Sequence, residues 1–444
     1  MKRKKIVILG GGITGIVSAY YLSENFDVTL IEKESFLGGS ASSFLHKGFV
    51  LDFGPHKIYT VIPGIISEIN KLCPLLKIKK KNSIYLRGNF YDFPLKLSQI
   101  TAKMPFVALR AGIDIFLKPF SKLPDDSYEN FLINRFGKTL YNLSFRDYAY
   151  KVWKSNPKEL DAELARRRVA VSGILELIKS VLMKDNKNIS AEYFYYPPQG
   201  LSQLINSLKS KILKNNGKII LNSSPKITIE GNKVKTVSLN NKTIKPDYVI
   251  STIPLDSLVE ISNLKEELTG IKLPYQKLNV VYFILNKKRA IKDCWIFFPE
   301  GKFIFQRVSE QKAFSPFTSP KDKTAIMVET TKEINPQTIK EIISQLKSIG
   351  ILERSEIIEY FTKSISKSYP VYKKGFKKSF EKVENFFEPI DNFYLLGRQG
   401  LFNYNNMDQC WDMALKISEH IKHKNKKQEW SLMKKYFDEY RIVD

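Results

Sequence analysis

Residues 4–42 read KKIVILGGGITGIVSAYYLSENFDVTLIEKESFLGGSAS, and this stretch decides the fold. Lys5 to Leu9 is a short, mostly β-branched run, and Gly10, Gly12 and Gly15 then punctuate the entry to an apolar helix. A second strand, Val28 to Ile31, ends on Glu32, and Gly38-Gly39 follows. Gly10 permits the tight turn, Gly12 lets the backbone approach a pyrophosphate, and Gly15 lets helix and strand pack closely. The helix N-terminus offers unpaired N–H groups to the anion. Glu32, 20 residues past Gly12, stands where a carboxylate holds both hydroxyls of a ribose without a 2′-phosphate. Three glycines alone are a weak signal. Between a clean strand and a clean helix, with an acid at the right distance, they predict a dinucleotide site.

The motif by itself does not separate NAD from FAD. Gly38-Gly39, with Ser40 next, is similar to the extension in FAD enzymes of the glutathione-reductase type, so FAD leads. At 444 residues two or three domains are expected, because single cores rarely grow past about 250–300 residues. The three cysteines, Cys73, Cys294 and Cys410, are scattered, and no His/Cys cluster suggests metal. An odd count without a leader is read as a reducing, cytoplasmic setting. No window reaches the roughly 18 apolar residues of a membrane span. The net charge of +26 fits abundant lysine first, a polyanionic substrate or membrane surface second, and nucleic acid last. No nucleic-acid partner is expected.

Further along, residues 40–60 read as a hairpin, and residues 76–95 (LKIKKKNSIYLRGNFYDFPL) as another, turning at Arg87-Gly88-Asn89. From 97 to 190 the apolar spacing is helical, through Phe131, Phe136, Leu140 and Leu143. Residues 104–119 are amphipathic enough to touch a membrane, with a packed helix the leading reading. Tyr195 to Gly200 breaks the helical run, and an α/β rhythm returns up to the strand Tyr248 to Thr252. Residues 276–384 alternate between strands (LNVVYFIL, KFIFQRV, TAIMVET) and one helix near 337–348. The expected fold is α/β. A discontinuous Rossmann-type FAD-binding domain spans 1–75, 191–265 and 385–425. A helical domain is inserted at 97–190, an antiparallel β-sheet substrate domain covers 76–96 and 266–384, and 426–444 is a charged, peripheral tail.

Several separated segments resemble one family, the flavin-dependent UDP-galactopyranose mutases, within the amine-oxidase and protoporphyrinogen-oxidase-like flavoproteins. Phe53-Gly54-Pro55-His56-Lys57-Ile58-Tyr59-Thr60 is similar to the mutases' "YGPHxFHT". Phe136-Gly137-Lys138-Thr139-Leu140-Tyr141, with Tyr148, Lys151, Trp153 and Asn156-Pro157-Lys158-Glu159-Leu160, looks like their "IGxxLYxxFxxxYTxKxW…PxEL". Tyr193-Phe194 with Gln199-Gly200-Leu201, Phe305-Gln306-Arg307-Val308-Ser309-Glu310, Tyr369-Pro370, and Gly397-Arg398 through Tyr404 and Met407 follow in the family's order.

The resemblance implies that reduced FAD attacks the anomeric carbon of a nucleotide sugar through N5, so that the ring reopens and recloses at the other size without net redox change. It carries Arg167 and Arg307 over as the arginines gripping the diphosphate, with His56 beside the flavin in the catalytic set. Tyr193, Tyr369 and Tyr404 become phosphate-binding phenols, Tyr148 the aromatic stacked on the base, and Trp153 and Asn406 pocket residues. Gly10, Gly12, Gly15, Glu32, Gly39, Ser40, Arg398 and Met407, again with His56, form the cofactor set. The expected partners are a nucleotide sugar and NAD(P)H or another reductant, with membrane-proximal glycosyltransferases, peripheral membrane contact and an oligomer also implied. The chain departs from the family at Tyr59, where a second histidine is usual, at Asn406, where an aspartate is usual, and at Ser144, where an aromatic is usual. The runner-up is an FAD-dependent oxidase or desaturase of the amine-oxidase type, since one fold hosts several chemistries.

Overall fold

The computed structural model describes residues 3–117, 122–168, 192–239, 242–263, 268 and 270–442. The expected helical stretch is therefore seen as far as Arg168, and residues 169–190 lie outside the described residues, as do the first residues of the 266–384 segment and the last two of the tail.

The chain opens with β1 (Lys5–Leu9), α1 (Ile13–Ser23) and β2 (Asp27–Ile31), then a hairpin of β3 (Ser43–His46) and β4 (Phe49–Asp52), and α2 (Ile65–Leu72). Strands β5 (Leu76–Lys79), β6 (Asn82–Leu86) and β7 (Asn89–Asp92) lead into α3 (Leu97–Lys103), α4 (Pro105–Leu117), α5 (Tyr128–Ser144), α6 (Arg146–Trp153) and α7 (Ala162–Arg168). The return runs through β8 (Tyr193–Tyr196), α8 (Leu201–Lys214), β9 (Lys218–Ile220), a meander of β10 (Lys226–Glu230), β11 (Lys233–Leu239) and β12 (Lys242–Ile244), then β13 (Tyr248–Ser251) and α9 (Leu255–Ile261). The second half holds β14 (Tyr275–Leu285), β15 (Trp295–Phe297), β16 (Arg307–Glu310), β17 (Thr324–Thr330), α10 (Pro336–Ser348) and β18 (Ile357–Pro370). It closes with α11 (Phe376–Phe387), β19 (Phe393–Leu395), α12 (Gly397–Gly400), α13 (Met407–Lys422) and α14 (Lys427–Asp438).

Two sheets organise these elements. The first is parallel, in the order β19-β13-β1-β2-β9. Its central strands are apolar on both faces (Ile6, Val7, Ile8, Val28, Leu30 and Val249 are buried), because helices, α1 among them, cover it. The second sheet has the order β18-β14-β17-β16-β15-β6-β7. Along β14 the side chains alternate between two cores. Val281, Phe283 and Leu285 pack in one cluster with Ile339, Ile342 and Leu346 of α10, while Leu278, Val280 and Tyr282 meet Phe49 and Leu51 of β4 in another. Strands of the second sheet, the stretches of chain that follow β2, β4 and β19, and helices α6 and α7 together line one cleft.

Three sequence expectations need correcting. The second sheet is mixed: β6 runs parallel to β15, which the long helical excursion between them allows, since a parallel pair requires a crossover. β5 leaves that sheet altogether and pairs with β8, so the hairpin turning at Arg87-Gly88 comprises β6 and β7 alone. The segment 426–444 is no peripheral tail. Trp430 and Phe437 of α14 are buried, with Trp430 edge-on to Tyr394 of β19 at 5.7 Å. Its many lysines hid apolar residues at helical spacing.

Candidate active site

The groove at the head of α1 is made of backbone. Gly10 has φ +95°, a conformation that favours glycine, and a Cβ there would stand 2.6 Å from Thr252 Oγ1. A Cβ at Gly15 would overlap the Gly10 carbonyl oxygen, so helix and strand touch only because both residues lack one. Gly12 is different: a Cβ would meet nothing within 4 Å. What needs the space above Gly12 is a ligand. Gly12 and Gly38 form an isolated bridge, and Gly38 N–H donates to the Gly11 carbonyl at 2.7 Å, so the two glycine motifs form one rim. Ser40, Thr252, Gly397, Arg398, Met407 and Cys410 supply the rest of the wall. Glu32 is buried, its carboxylate accepting from Gly11 N–H at 2.5 Å and Glu34 N–H at 2.9 Å. Those bonds hold the carboxylate at the rim and leave acceptor sites for a ribose. The small-residue cradle and the free N-terminus of α1 fit a dinucleotide pyrophosphate.

Ser40, His56, Arg398 and Met407 line both this groove and a larger cleft beyond it, whose empty volume is about 1240 Å³ with its open mouth included. His56 marks the junction. Burial pushes its pKa down to about 4, with Arg398 and Arg307 adding to the effect against a hydrogen bond to Gly54. The imidazole is therefore neutral at pH 7. Its Nδ1 faces the Gly54 carbonyl at 2.9 Å and donates there, which leaves Nε2 as an acceptor.

Charge and aromatic surface dominate the larger cleft. Arg307, at the start of β16, is held by both carboxylate oxygens of Glu329, a 3% exposed residue of the neighbouring β17; the Nη2–Oε1 bond is 2.9 Å. A guanidinium has five N–H donors, so this clamp fixes the fork and leaves donors for an anion. Arg398 donates Nε–H (2.9 Å) and Nη2–H to the Asn405 carbonyl and lies over the Tyr369 ring at 5.3 Å. Tyr369 and Tyr404 stack at 5.2 Å, and Trp153 stands edge-on to both at 6.1 and 6.0 Å. Tyr148 meets Phe297 edge-on at 6.3 Å. Burial raises the pKa of Tyr148 and of Tyr404, so both stay neutral phenols. Asn406 caps α13 and lines the cleft.

Three residues of the expected set do not line the cleft: Trp153, which is buried against the Tyr369 and Tyr404 rings, Arg167 and Tyr193. Arg167 points away from the cleft, to Glu163, Asn403 and Asp438. Its neighbour Arg168 takes the cleft position, with its guanidinium 5.3 Å from the Trp153 ring and 5.2 Å from the Tyr404 ring. Within Arg166-Arg167-Arg168 only the rotation of α7 decides which side chain faces inward, and no spacing rule resolves one residue. Tyr193 does not line the cleft either. On β8 it alternates away from buried Phe194 and Tyr196 and lies under the Lys77 ammonium, 4.5 Å from its ring.

Glu329 was not foreseen; a single acid within TAIMVET gives no hint that it clamps an arginine. Lys151, prominent in the motif, proves structural: its Nζ donates to the carbonyls of Phe298, Glu300 and Phe305 at 2.7–3.0 Å. Burial lowers it to about 7, yet three carbonyl partners call for the three donors that only the ammonium has.

Groove and cleft together define a dinucleotide-binding protein of the flavoprotein type, with a cleft rich in arginine and aromatic rings next to the cofactor groove. Residues 143–404, more than half of the chain, match the family described as UDP-galactopyranose mutase, and residues 8–65 match the NAD(P)-binding Rossmann-like domain. The chain belongs to the UDP-galactopyranose mutase family, a family of flavin-dependent isomerases, and its cofactor is FAD. It is 25% identical over 177 residues to the "Probable UDP-galactopyranose mutase" of Klebsiella pneumoniae, covering 38% of this chain and 45% of that one. It is 23% identical over 296 residues to the human protoporphyrinogen oxidase, covering 58% and 61%. The chain thus spans about half the length of these relatives. A crystal structure of reduced UDP-galactopyranose mutase superposes with a TM-score of 0.81 at 22% identity, over 95% of this chain and 94% of that one.

Proposed function

We propose that this protein interconverts the pyranose and furanose forms of a nucleotide-activated sugar, with UDP-galactose as the default substrate. The observation that carries this reading is the pairing of two guanidinium groups, Arg168 and Arg307, about the Tyr148 and Tyr369 phenols, in a cleft that opens onto the cofactor groove at His56. Bound and reduced, FAD supplies an electron-rich nucleophile suited to an anomeric carbon, with no net redox change. The chain's own residues do the rest. Arg307, its fork fixed by Glu329, and Arg168, set among aromatic rings, offer bidentate contacts to a diphosphate, which is the leaving group whose charge must be stabilised. Tyr369 and Tyr404 offer their hydroxyls to phosphate oxygens. Tyr148, backed by Phe297, presents a ring to the base. Arg398 places a positive charge beside the flavin groove, which favours an anionic reduced ring. Neutral His56 offers a lone pair at the junction.

Incubating dithionite-reduced protein with UDP-galactofuranose and resolving the products by chromatography tests the reading. Failure to convert any of a panel of UDP-, dTDP- and GDP-sugars sinks it. An oxidase of apolar substrates is the weaker alternative, because three arginines line the cleft; oxygen uptake during turnover would favour it. Reduction by NAD(P)H is proposed without a second glycine motif, and stopped-flow bleaching of the flavin decides it.

Peripheral attachment to an anionic bilayer, near membrane-bound glycosyltransferases, is proposed through α4. Among the described helices none is long and apolar enough to cross a membrane. Phe106, Leu109, Ile113 and Phe116 of α4 are exposed on one face beside Arg110, while its single acid, Asp114, turns inward to accept from Thr139 N–H. An apolar stripe with only positive charge suits anionic lipid. Co-sedimentation with phosphatidylglycerol vesicles supports it; a salt-insensitive dimer with no vesicle binding refutes it and assigns the face to a second copy.

A further inference from the structure

We propose that residues 437–442 form a strap that, with Arg167 as its anchor, positions Arg168 in the cleft. This role presupposes the mutase reading, in which Arg168 contacts the diphosphate. Successive side chains on a helix point about 100° apart, so fixing Arg167 on one side of α7 sets the direction in which Arg168 leaves it.

The fixing is extensive. Arg167 is buried and donates through Nε to Glu163 at 2.8 Å, through Nη1 to Asn403 Oδ1, and through Nη2 to Asp438 at 3.2 Å. Its carbonyl accepts from Ile442 N–H at 3.0 Å. Asn403 in turn donates to the Phe437 carbonyl at 3.2 Å. It directly precedes Tyr404, the ring over which Arg168 lies. Gln409 bridges the strap to the cleft a second time, donating to the Arg441 carbonyl at 2.8 Å and accepting from Asn406 N–H at 2.9 Å. Tyr440 O–H, donating to Asp412 at 2.5 Å, ties the strap to α13. Arg168, Tyr404 and Asn406 are therefore each joined to residues 437–442 through one intervening residue, Arg167, Asn403 and Gln409 respectively.

The members are unequal. The Asp438 side chain is 72% exposed, and exposed ion pairs contribute little. The buried Asn403 bond and the Ile442 N–H carry the positioning, because an unpaired buried donor or acceptor is costly. Arg167 is accordingly a positioning residue and not a catalytic one.

The test uses the full-length holoenzyme and three variants: Arg167→Met, which keeps an apolar stem and loses every donor; Arg167→Lys, the conservative replacement; and Ile442→Pro, which removes the N–H to Arg167. Binding of UDP is followed by the change in the flavin spectrum, and KM and kcat are measured separately. Arg167→Met is expected to raise the UDP Kd and the substrate KM about tenfold, with kcat changed less, and Arg167→Lys to recover most of the loss. Ile442→Pro is expected to raise the Kd about threefold and to speed tryptic cleavage after Arg168.

A lowered melting temperature in Arg167→Met with unchanged UDP affinity and KM reduces Arg167 to a structural residue and overturns the proposal. Equal tryptic rates in wild type and Ile442→Pro overturn the strap. A wild type that binds none of UDP, dTDP or GDP overturns the mutase reading instead, and the tryptic rates then still decide whether the strap holds α7.

Discussion

The cofactor groove and the substrate cleft share a wall at His56 but are built from different materials. The groove is backbone: glycines touching glycines, a helix N-terminus, and one carboxylate pinned by main-chain N–H groups. The cleft is side chains: a guanidinium clamped by a buried glutamate, two more arginines on aromatic faces, and stacked tyrosines. At Gly10 and Gly15 the backbone wall tolerates no added side chain, yet it needs little from its neighbours. A side-chain wall tolerates modest changes of shape, but depends on the rotation of each helix and on partners remote in sequence.

The largest effect expected from this contrast is at Gly15. Gly15→Val forces a side chain into the Gly10 carbonyl, and the purified variant should carry at least about tenfold less flavin per chain, read from its absorbance, since helix and strand can no longer close on the pyrophosphate. Retention of full flavin content would break the comparison at its root.

Next come the arginines, where the two sides of the cleft should separate. Arg307→Met and Arg168→Met should both keep flavin and lose about 10²–10³ in kcat/KM, as expected when a charged contact to the leaving group is removed. They should differ in stability. Arg307→Met strands the Glu329 carboxylate, 3% exposed, at a cost of about 3–5 kcal/mol, and Glu329→Gln in the same chain should recover much of it. No carboxylate among the described residues pairs with Arg168, so Arg168→Met should unfold at nearly the wild-type denaturant midpoint. Equal destabilisation by both would show that the clamp is not the distinguishing feature.

The smallest effect is in pH. The folded pKa of His56 lies near 4 against an ordinary 6.5, from burial first and the two arginines second. A depressed folded pKa contributes stability that is present above 6.5 and lost as pH falls toward 4. Activity should therefore show no His56 limb between pH 8 and 5, and His56→Gln should flatten the fall in stability between about 6.5 and 4 in denaturation curves. An activity limb near 6.5 that disappears in His56→Gln would place a protonatable imidazole at the junction instead.

Much of the groove was legible in the sequence because its rules are local. Gly10, Gly12 and Gly15 act within one turn, and Glu32 returns to Gly11 across 21 residues at a spacing that the glycine motif itself specifies. The cleft was legible in its residue types and only partly in its membership. Arg307, Tyr148, Tyr369, Tyr404, Asn406 and His56 line one cleft, with Trp153 buried behind two of them. Arg167 and Tyr193 do not, since one residue of helix rotation or of strand alternation sends a side chain to the opposite face. Glu329 and the strap carry no sequence signal because no motif spacing ties them to Arg307 and Arg167, which lie 22 and 271 residues away.

The amino-acid sequence by itself determined that a strand, a glycine turn and a helix would form a dinucleotide-type cradle, which follows from local backbone sterics; the gathering of arginines and tyrosines near it was implied by the family resemblance. Only the tertiary structure decided which arginine of three enters the cleft, which glutamate clamps its counterpart, and that a lysine-rich C-terminal segment is a helix braced against the site. Those choices depend on how α7, β17 and α14 pack together, and packing is set by the whole chain at once.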